Sequence, residues 1–233
     1  LARMASLAYI SAATVYQTAN LIDHGEKPAV PSAILKSQLT EFQRVLLSDA
    51  MDVHGGKAVT LGPRNYLGIG YSANPVAITV EGANILTRNM MIYGQGAIRC
   101  HPYVLKEMEA SAEQGPEALK KFDNALFSHI GFAASNFMRS VFYGFGGHRL
   151  SSVPVSGPAR KYYQQMNRFS ANMALLSDIA MGKLGGSLKR KERVSARLGD
   201  MLSYLYIGSC VMKRYHDQGR IKEDLPLVHW AMQ

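Results

Sequence analysis

Of all the residues in this sequence, Glu81 is the one best placed to do chemistry. It is the only acidic residue between Asp52 and Glu107, and it interrupts an apolar run, Val76-Ala77-Ile78-Thr79-Val80-Glu81-Gly82-Ala83-Asn84-Ile85-Leu86. A carboxylate partly buried there, at the start of a helix, is suited to general-base work on a substrate. Two influences compete on it. A bulky apolar substrate closing over the site would strip its water and strengthen the base, whereas a helix N-terminus favours the charged, weaker form. The plainer role is that of a first-turn glutamate stabilising the helix dipole.

Other familiar chemistries are absent. No Gly-x-x-x-x-Gly-Lys-Ser/Thr loop occurs, and Gly68-Ile69-Gly70 and Gly94-Gln95-Gly96 each lack the third glycine of a dinucleotide fingerprint. His-Glu-x-x-His, Cys-x-x-Cys and Gly-x-Ser-x-Gly are missing as well. The seven histidines are scattered without metal-ligand helical spacing, so His101 and His129 read as hydrogen-bonded structural residues and no metal is expected. Two cysteines, Cys100 and Cys210, cannot build a disulfide framework or a zinc cage, and the chain reads as cytoplasmic.

The elements that must position Glu81 read as helices. Leu1, Ala5, Ala8, Ala12, Val15, Ala19 and Ile22 recur at three-and-four spacing, a small-residue stripe for close packing. His24-Gly25, Pro28 and Pro31 end that helix, and Ser32 can cap a second one whose apolar face is Leu35, Leu39, Phe42, Leu46 and Val53. The second helix stops at His54-Gly55-Gly56, and the glycines and prolines of 62–75 argue against a continuous long helix there. A third helix is predicted after Gly82, through Ile85, Leu86 and Met90 to Tyr93. Further helices are predicted near 102–112, 119–143, 159–181 and 189–215, with 144–158 a Gly/Pro/Ser loop. Period-two alternation is confined to a weak run at 77–80, so the fold class is all-α.

A 47% hydrophobic composition over 233 residues supports a real core and excludes wholesale disorder. The chain opens on Leu1-Ala2-Arg3-Met4 at full helical stride with no signal-peptide layout, which reads as a fragment of something longer. No uncharged run reaches the roughly 18 apolar residues of a membrane-spanning helix. Charge is uneven: residues 1–100 hold 8 Lys+Arg against 6 Asp+Glu, and residues 101–233 hold 18 against 11. The densest basic stretch is 183–197, where Lys183, Lys189, Arg190, Lys191, Arg193 and Arg197 face only Glu192. Such a patch suits a solvated helix end as well as an anionic surface.

The segment Glu81-Gly82-Ala83-Asn84-Ile85-Leu86-Thr87-Arg88, lying 25 positions after Gly56 of Asp52-Val53-His54-Gly55-Gly56, resembles the C-terminal helical domain of acyl-CoA dehydrogenases over about residues 1–95. Residues 100–233, with Tyr93-Gly94-Gln95-Gly96-Ala97-Ile98-Arg99-Cys100-His101-Pro102-Tyr103 at the junction, resemble the C-terminal extension of the large bacterial fatty-acyl-CoA dehydrogenases of β-oxidation. The resemblance implies a helical bundle at 1–99, lacking its first helix, and a helical extension at 100–233. It also implies a base at Glu81 that takes the α-proton of an acyl-CoA while the β-hydride passes to N5 of FAD, giving a trans-2-enoyl-CoA. Gly82 would bind substrate beside the thioester. Asp52, His54, Gly55 and Gly56 would meet the ADP portion of FAD held mainly by a partner subunit, the two glycines letting backbone amides reach a pyrophosphate or simply capping a helix. Ala83 and Ile85 would approach the cofactor of their own subunit. This chain has Val80 and Ala83 where many relatives carry an aromatic and a threonine, Asp52 where a glutamine often stands, and Ala58 for a third glycine.

Partners implied by the resemblance are a fatty acyl-CoA, an electron-transfer flavoprotein as acceptor and a second copy in a homodimer, with the fragment alone inactive. The competing reading is a non-catalytic helical module for docking to a membrane surface or a partner, a peripheral contact with the inner membrane suggested by the charge of the second half. Its Phe127, Phe132, Phe137, Phe142 and Phe145 step by five, five, five and three, off any one helical stripe, and are expected mostly buried. Nucleic-acid binding lacks any recognition motif.

Overall fold

The computed structural model describes residues 1–233, all helix and connection with no β-strand. Eleven α-helices are joined by short 3-10 turns and one π-helical segment: α1 (Ala2–Asp23), α2 (Ala29–His54), α3 (Gly56–Val59), α4 (Gly68–Thr79), α5 (Asn84–Leu86), the π segment Thr87–Gly94, α6 (Gly96–Cys100), α7 (Val104–Ala112), α8 (Pro116–Gly144), α9 (Arg160–Leu184), α10 (Glu192–Asp217) and α11 (Leu225–Ala231). None is long and apolar enough to cross a membrane. The chain divides into two compact units, one formed by residues 1–88 with 206–233 and the other by 89–205. By contacts the end of α10 and α11 group with the first unit.

In the first unit α1 pairs with α2 as the predicted helical hairpin, tied at one end by Arg3 donating to both carboxylate oxygens of Asp49. The buried face of α1 is not the alanine stripe. Leu7, Ile10, Ala13, Thr14 and Thr18 are covered, whereas Leu1, Ala5, Ala8, Val15, Ala19 and Ile22 are exposed. Threonine inside the core disguised that face: Thr14 donates to the Ile10 carbonyl and Thr18 to the Thr14 carbonyl, each at 2.8 Å, so the hydroxyls are satisfied within the helix. Thr18 also meets the Tyr206 hydroxyl at 2.7 Å, and burial pushes that phenol up to about 12. On α2 the covered line is Val30, Ala33, Ile34 and Ser37, while Val53 is exposed. The helix begins at Ala29, so Pro31 falls in its first turn, where the missing N–H costs nothing.

Residues 62–75 are more helical than their breakers suggest. Helix α4 runs through Gly70 and Pro75 to Thr79, and the alternating run at 77–80 is its last turn. Beyond the predicted start at Gly82, helix resumes only at Asn84. It widens within one turn to a π segment whose i→i−5 geometry shows in the Gln95 amide donating to the Met90 carbonyl at 2.7 Å.

The second unit packs Tyr93, Ala97, Met173, Leu188 and Leu198 into one cluster, the Tyr93 hydroxyl donating to Ser177 at 3.0 Å. Helix α8 starts on Pro116, whose lost N–H is one no helix could use, and packs against α7 and α9. Its phenylalanines are not buried as expected. Phe132 is half-buried, against His101 and Tyr103; Phe127, Phe137 and Phe142 are more than half exposed, because α8 turns toward its neighbours the face carrying Ala118, Ala125 and Asn136, and Phe145, just past its end, is exposed too. The basic stretch 183–197 spans the end of α9, a 3-10 turn and the first turns of α10.

Candidate functional site

Glu81 lies in the connection between α4 and α5, and its backbone is the only point besides Arg220 where a residue other than glycine takes a left-handed conformation, φ 56°. Gly82 follows at φ 85°. For an L-residue that conformation costs roughly 1–2 kcal/mol, so something else must hold it. Lys36, on α2, supplies the hold. Its Nζ donates to the Gly82 carbonyl at 2.7 Å, to Asn84 Oδ1 at 2.7 Å and, more weakly, to the Ile78 carbonyl at 3.4 Å. Thr87 Oγ1 also donates to the Gly82 carbonyl, at 3.3 Å. Asn84 is itself buried and turns Nδ2 onto Thr40 Oγ1 at 2.8 Å, Glu41 Oε1 at 3.0 Å and the Ser37 carbonyl at 3.3 Å. Charge-assisted bonds of this kind contribute about 1.5–3 kcal/mol each, enough to outweigh the backbone strain.

The carboxylate of Glu81 takes no part in this network. It is exposed and makes no hydrogen bond or ion pair, which corrects the expectation of a partly buried first-turn glutamate. Helix does not begin until Asn84, so the turn thrusts the side chain outward from a locked backbone. Gly82 and Ala83 beside it are half-buried and Ile85 is exposed. Lys36 and Asn84 were not singled out in the sequence. An isolated lysine on a helix and an asparagine at a helix start carry no spacing signal, and only the approach of α2 to the turn joins them.

Asp52, His54, Gly55 and Gly56 sit at the far end of the same helix. Gly55 takes φ 55° and caps α2, its amide donating to the Met51 carbonyl at 2.9 Å, and no atom lies within 4 Å of where a Cβ would stand on either glycine, so the space beside this backbone is open to an approaching group. Asp52 is exposed, and His54 holds the Ala50 carbonyl through Nδ1 at 2.8 Å and Tyr66 through Nε2. From Lys36 to Gly55 the helix axis advances about 28 Å. The structure therefore brings Glu81, Gly82, Ala83 and Ile85 together and keeps them apart from the Asp52–Gly56 group.

A second polar centre, in the other unit, gathers residues that the sequence leaves scattered. His101 Nε2 meets Asp178 Oδ1 at 2.8 Å, His129 Nε2 meets the same oxygen at 3.3 Å, and His129 Nδ1 meets Glu107 Oε1 at 2.8 Å. The side chains of His101 and Asp178 are only 6% and 11% exposed. Two histidines and a carboxylate this close have the composition of a metal site. The polarity argues otherwise: the amides of Tyr103 and Val104 donate to His101 Nδ1 at 3.3 and 3.2 Å, which puts that ring's proton on Nε2 and points it at Asp178. Burial holds the His101 imidazole below its ordinary value of 6.5 against the pull of Asp178. For His129 burial acts downward too, but hydrogen bonds to Glu107 and Asp178 and their charges outweigh it, and the net shift is upward. The two histidines share one carboxylate oxygen, and their pKa values move in opposite directions. Both are hydrogen-bonded, as members of one network rather than singly.

Residues 1–93 match the family model described as acyl-CoA dehydrogenase, C-terminal domain, and residues 98–233 match the one described as acyl-CoA dehydrogenase, C-terminal, bacterial type. No solved structure matches the chain.

Proposed function

The chain belongs to the acyl-CoA dehydrogenase family, and from that premise we propose that it is the carboxy-terminal part of an FAD-dependent enzyme oxidising fatty acyl-CoA to trans-2-enoyl-CoA in β-oxidation, with Glu81 as the base. One observation carries the reading: an unengaged carboxylate on a left-handed backbone that a buried asparagine and a lysine hold in place. Strained conformations kept by surrounding bonds cluster at active sites, because a protein that only needed a stable turn would use glycine.

FAD, when bound, supplies the hydride acceptor. The chain's own half of the reaction is proton removal. The thioester carbonyl acidifies the α C–H, the Glu81 carboxylate takes that proton and becomes a carboxylic acid, and the freed electron pair forms the Cα=Cβ bond as hydride leaves the β-carbon. Gly82 leaves room for the thioester, and Ala83 and Ile85 flank the cofactor. Apolar substrate covers Glu81 and removes the water that surrounds it in the uncovered site.

The separation of about 28 Å along α2 supports assigning the two motifs to different catalytic centres of a homodimer. Glu81 serves its own subunit, while Asp52, His54, Gly55 and Gly56 receive the ADP portion of FAD held by the partner. Residues 1–99 complete the catalytic bundle and 100–233 form the extension, with an electron-transfer flavoprotein taking the electrons onward.

Glu81→Gln in the complete dehydrogenase keeps the shape of the side chain and removes its basicity. FAD content and acyl-CoA affinity should survive while anaerobic flavin reduction slows by about 10²–10⁴-fold. Reduction at the wild-type rate would sink the assignment.

A further inference from the structure

We propose that Lys36, acting with Asn84, is a positioning residue that sets where the Glu81 carboxylate meets the substrate; the inference rests on the reading of Glu81 as a base. An ammonium offers three N–H donors and no acceptor. At Lys36 all three find oxygen on the segment around Glu81: Ile78 ahead of it, Gly82 next to it and Asn84 beyond it. One charged group thus ties both sides of a left-handed turn to α2, a helix of 26 residues.

Asn84 extends the grip. Its amide passes from the ammonium to Thr40 and Glu41, one helical turn further along α2, and Thr40 donates in turn to the Lys36 carbonyl at 2.7 Å. The lysine, the asparagine and the threonine close a ring of hydrogen bonds with Glu81 outside it. Every bond falls on the backbone or on Asn84 and none on the Glu81 carboxylate, so the base keeps both oxygens for a proton. A charge that paired with the carboxylate directly would weaken it as a base. A charge that clamps the neighbouring carbonyls fixes its place and leaves both carboxylate oxygens unpaired.

Replacing Lys36 by methionine keeps the stem and removes the donors. Since a displacement of 1 Å can cost on the order of a hundredfold, the Lys36→Met dehydrogenase should reduce its flavin with acyl-CoA about 10- to 100-fold more slowly. FAD content and acyl-CoA affinity should stay within about threefold of wild type. Lys36→Arg, which keeps the charge but spreads its donors in a plane, should restore part of the rate.

The decisive measurement is the pair Lys36→Met with Glu81→Gln. Once no base remains to be misplaced, losing the lysine should slow the Glu81→Gln enzyme no further. Additive losses would mean that Lys36 supports the fold and not the base. If Glu81→Gln abolishes reduction while Lys36→Met leaves it intact, the positioning proposal is overturned and the base stands. If Glu81→Gln itself reduces normally, the base reading fails and takes this proposal with it. Should Lys36→Met not fold, Thr40→Val loosens Asn84 from outside the turn and should give a loss of about three- to tenfold in the same sense; an unchanged rate would equally overturn the proposal.

Discussion

At Glu81 the side chain is exposed and unbonded while the backbone is strained and gripped. Around Asp178 the reverse holds: the side chains are buried and bonded to one another, and the backbone donates to an imidazole in the ordinary way of a helix start. Both regions hold carboxylates, in two units of one chain, so the presence of a carboxylate does not distinguish them. The distinction lies in what is left over after the local structure has been satisfied. In the Glu81 turn a carboxylate with both oxygens is left over. In the cluster the leftover is a single buried oxygen, Asp178 Oδ2.

Unfolding measurements can break this contrast. Asp178→Ala strands two imidazole N–H groups away from water and should cost about 3 kcal/mol, at the lower end for losing one partner of a buried charged pair. Glu81→Gln touches no bond and should lie within about 0.5 kcal/mol of wild type. Urea midpoints for both variants of the 233-residue chain make the comparison. Equal losses would remove the basis for treating one region as structural and the other as free for chemistry.

A smaller effect, carried by pH, separates the two histidines inside the cluster. His129 is raised in the folded chain, so its stabilisation is complete below 6.5 and is lost as pH climbs through the folded value. His101 is lowered, so folding excludes its proton and stability is lost as pH drops below 6.5 toward the folded value. The unfolding midpoint should therefore pass through a maximum near 6.5 and fall on both sides. His129→Gln should flatten the alkaline limb and His101→Gln the acid one. A midpoint that falls on one side only would mean that the histidines do not divide the proton as their partners require.

The helical class, the hairpin of α1 and α2 and the Glu81 motif were legible in the sequence because each is local: three-and-four periodicity, breakers at 24–28 and 54–56, and one carboxylate in an apolar run. The covered faces were harder to read. Threonines satisfied by their own helix made the true face of α1 look polar, and alanines on the opposite side imitated a contact stripe. Helix α8 shows the same ambiguity in reverse, since Phe127, Phe137 and Phe142 are exposed while Ala118 and Ala125 are covered. Nothing local announces Lys36 beside Gly82 across 46 residues, or His101 beside Asp178 across 77. Such pairs arise only when helices pack, and both polar centres depend on them.

The smallest effect tests the turn from the other direction. Glycine at position 81 would adopt φ 56° without strain, recovering the roughly 1–2 kcal/mol that an L-residue loses there. It would also give the unfolded chain more freedom, an opposing loss of about 0.5–1 kcal/mol, so Glu81→Gly should raise stability by about 0.5 kcal/mol while removing the base altogether. Glu81→Ala is the control: it keeps the strain, loses the carboxylate and should leave stability unchanged. If glycine stabilises and alanine does not, the glutamate stands in a conformation that stability alone would have given to glycine, as expected of a residue kept for its reactivity. If both substitutions destabilise, the Glu81 side chain supports the turn, and its freedom from partners is not what sets it apart from the buried cluster.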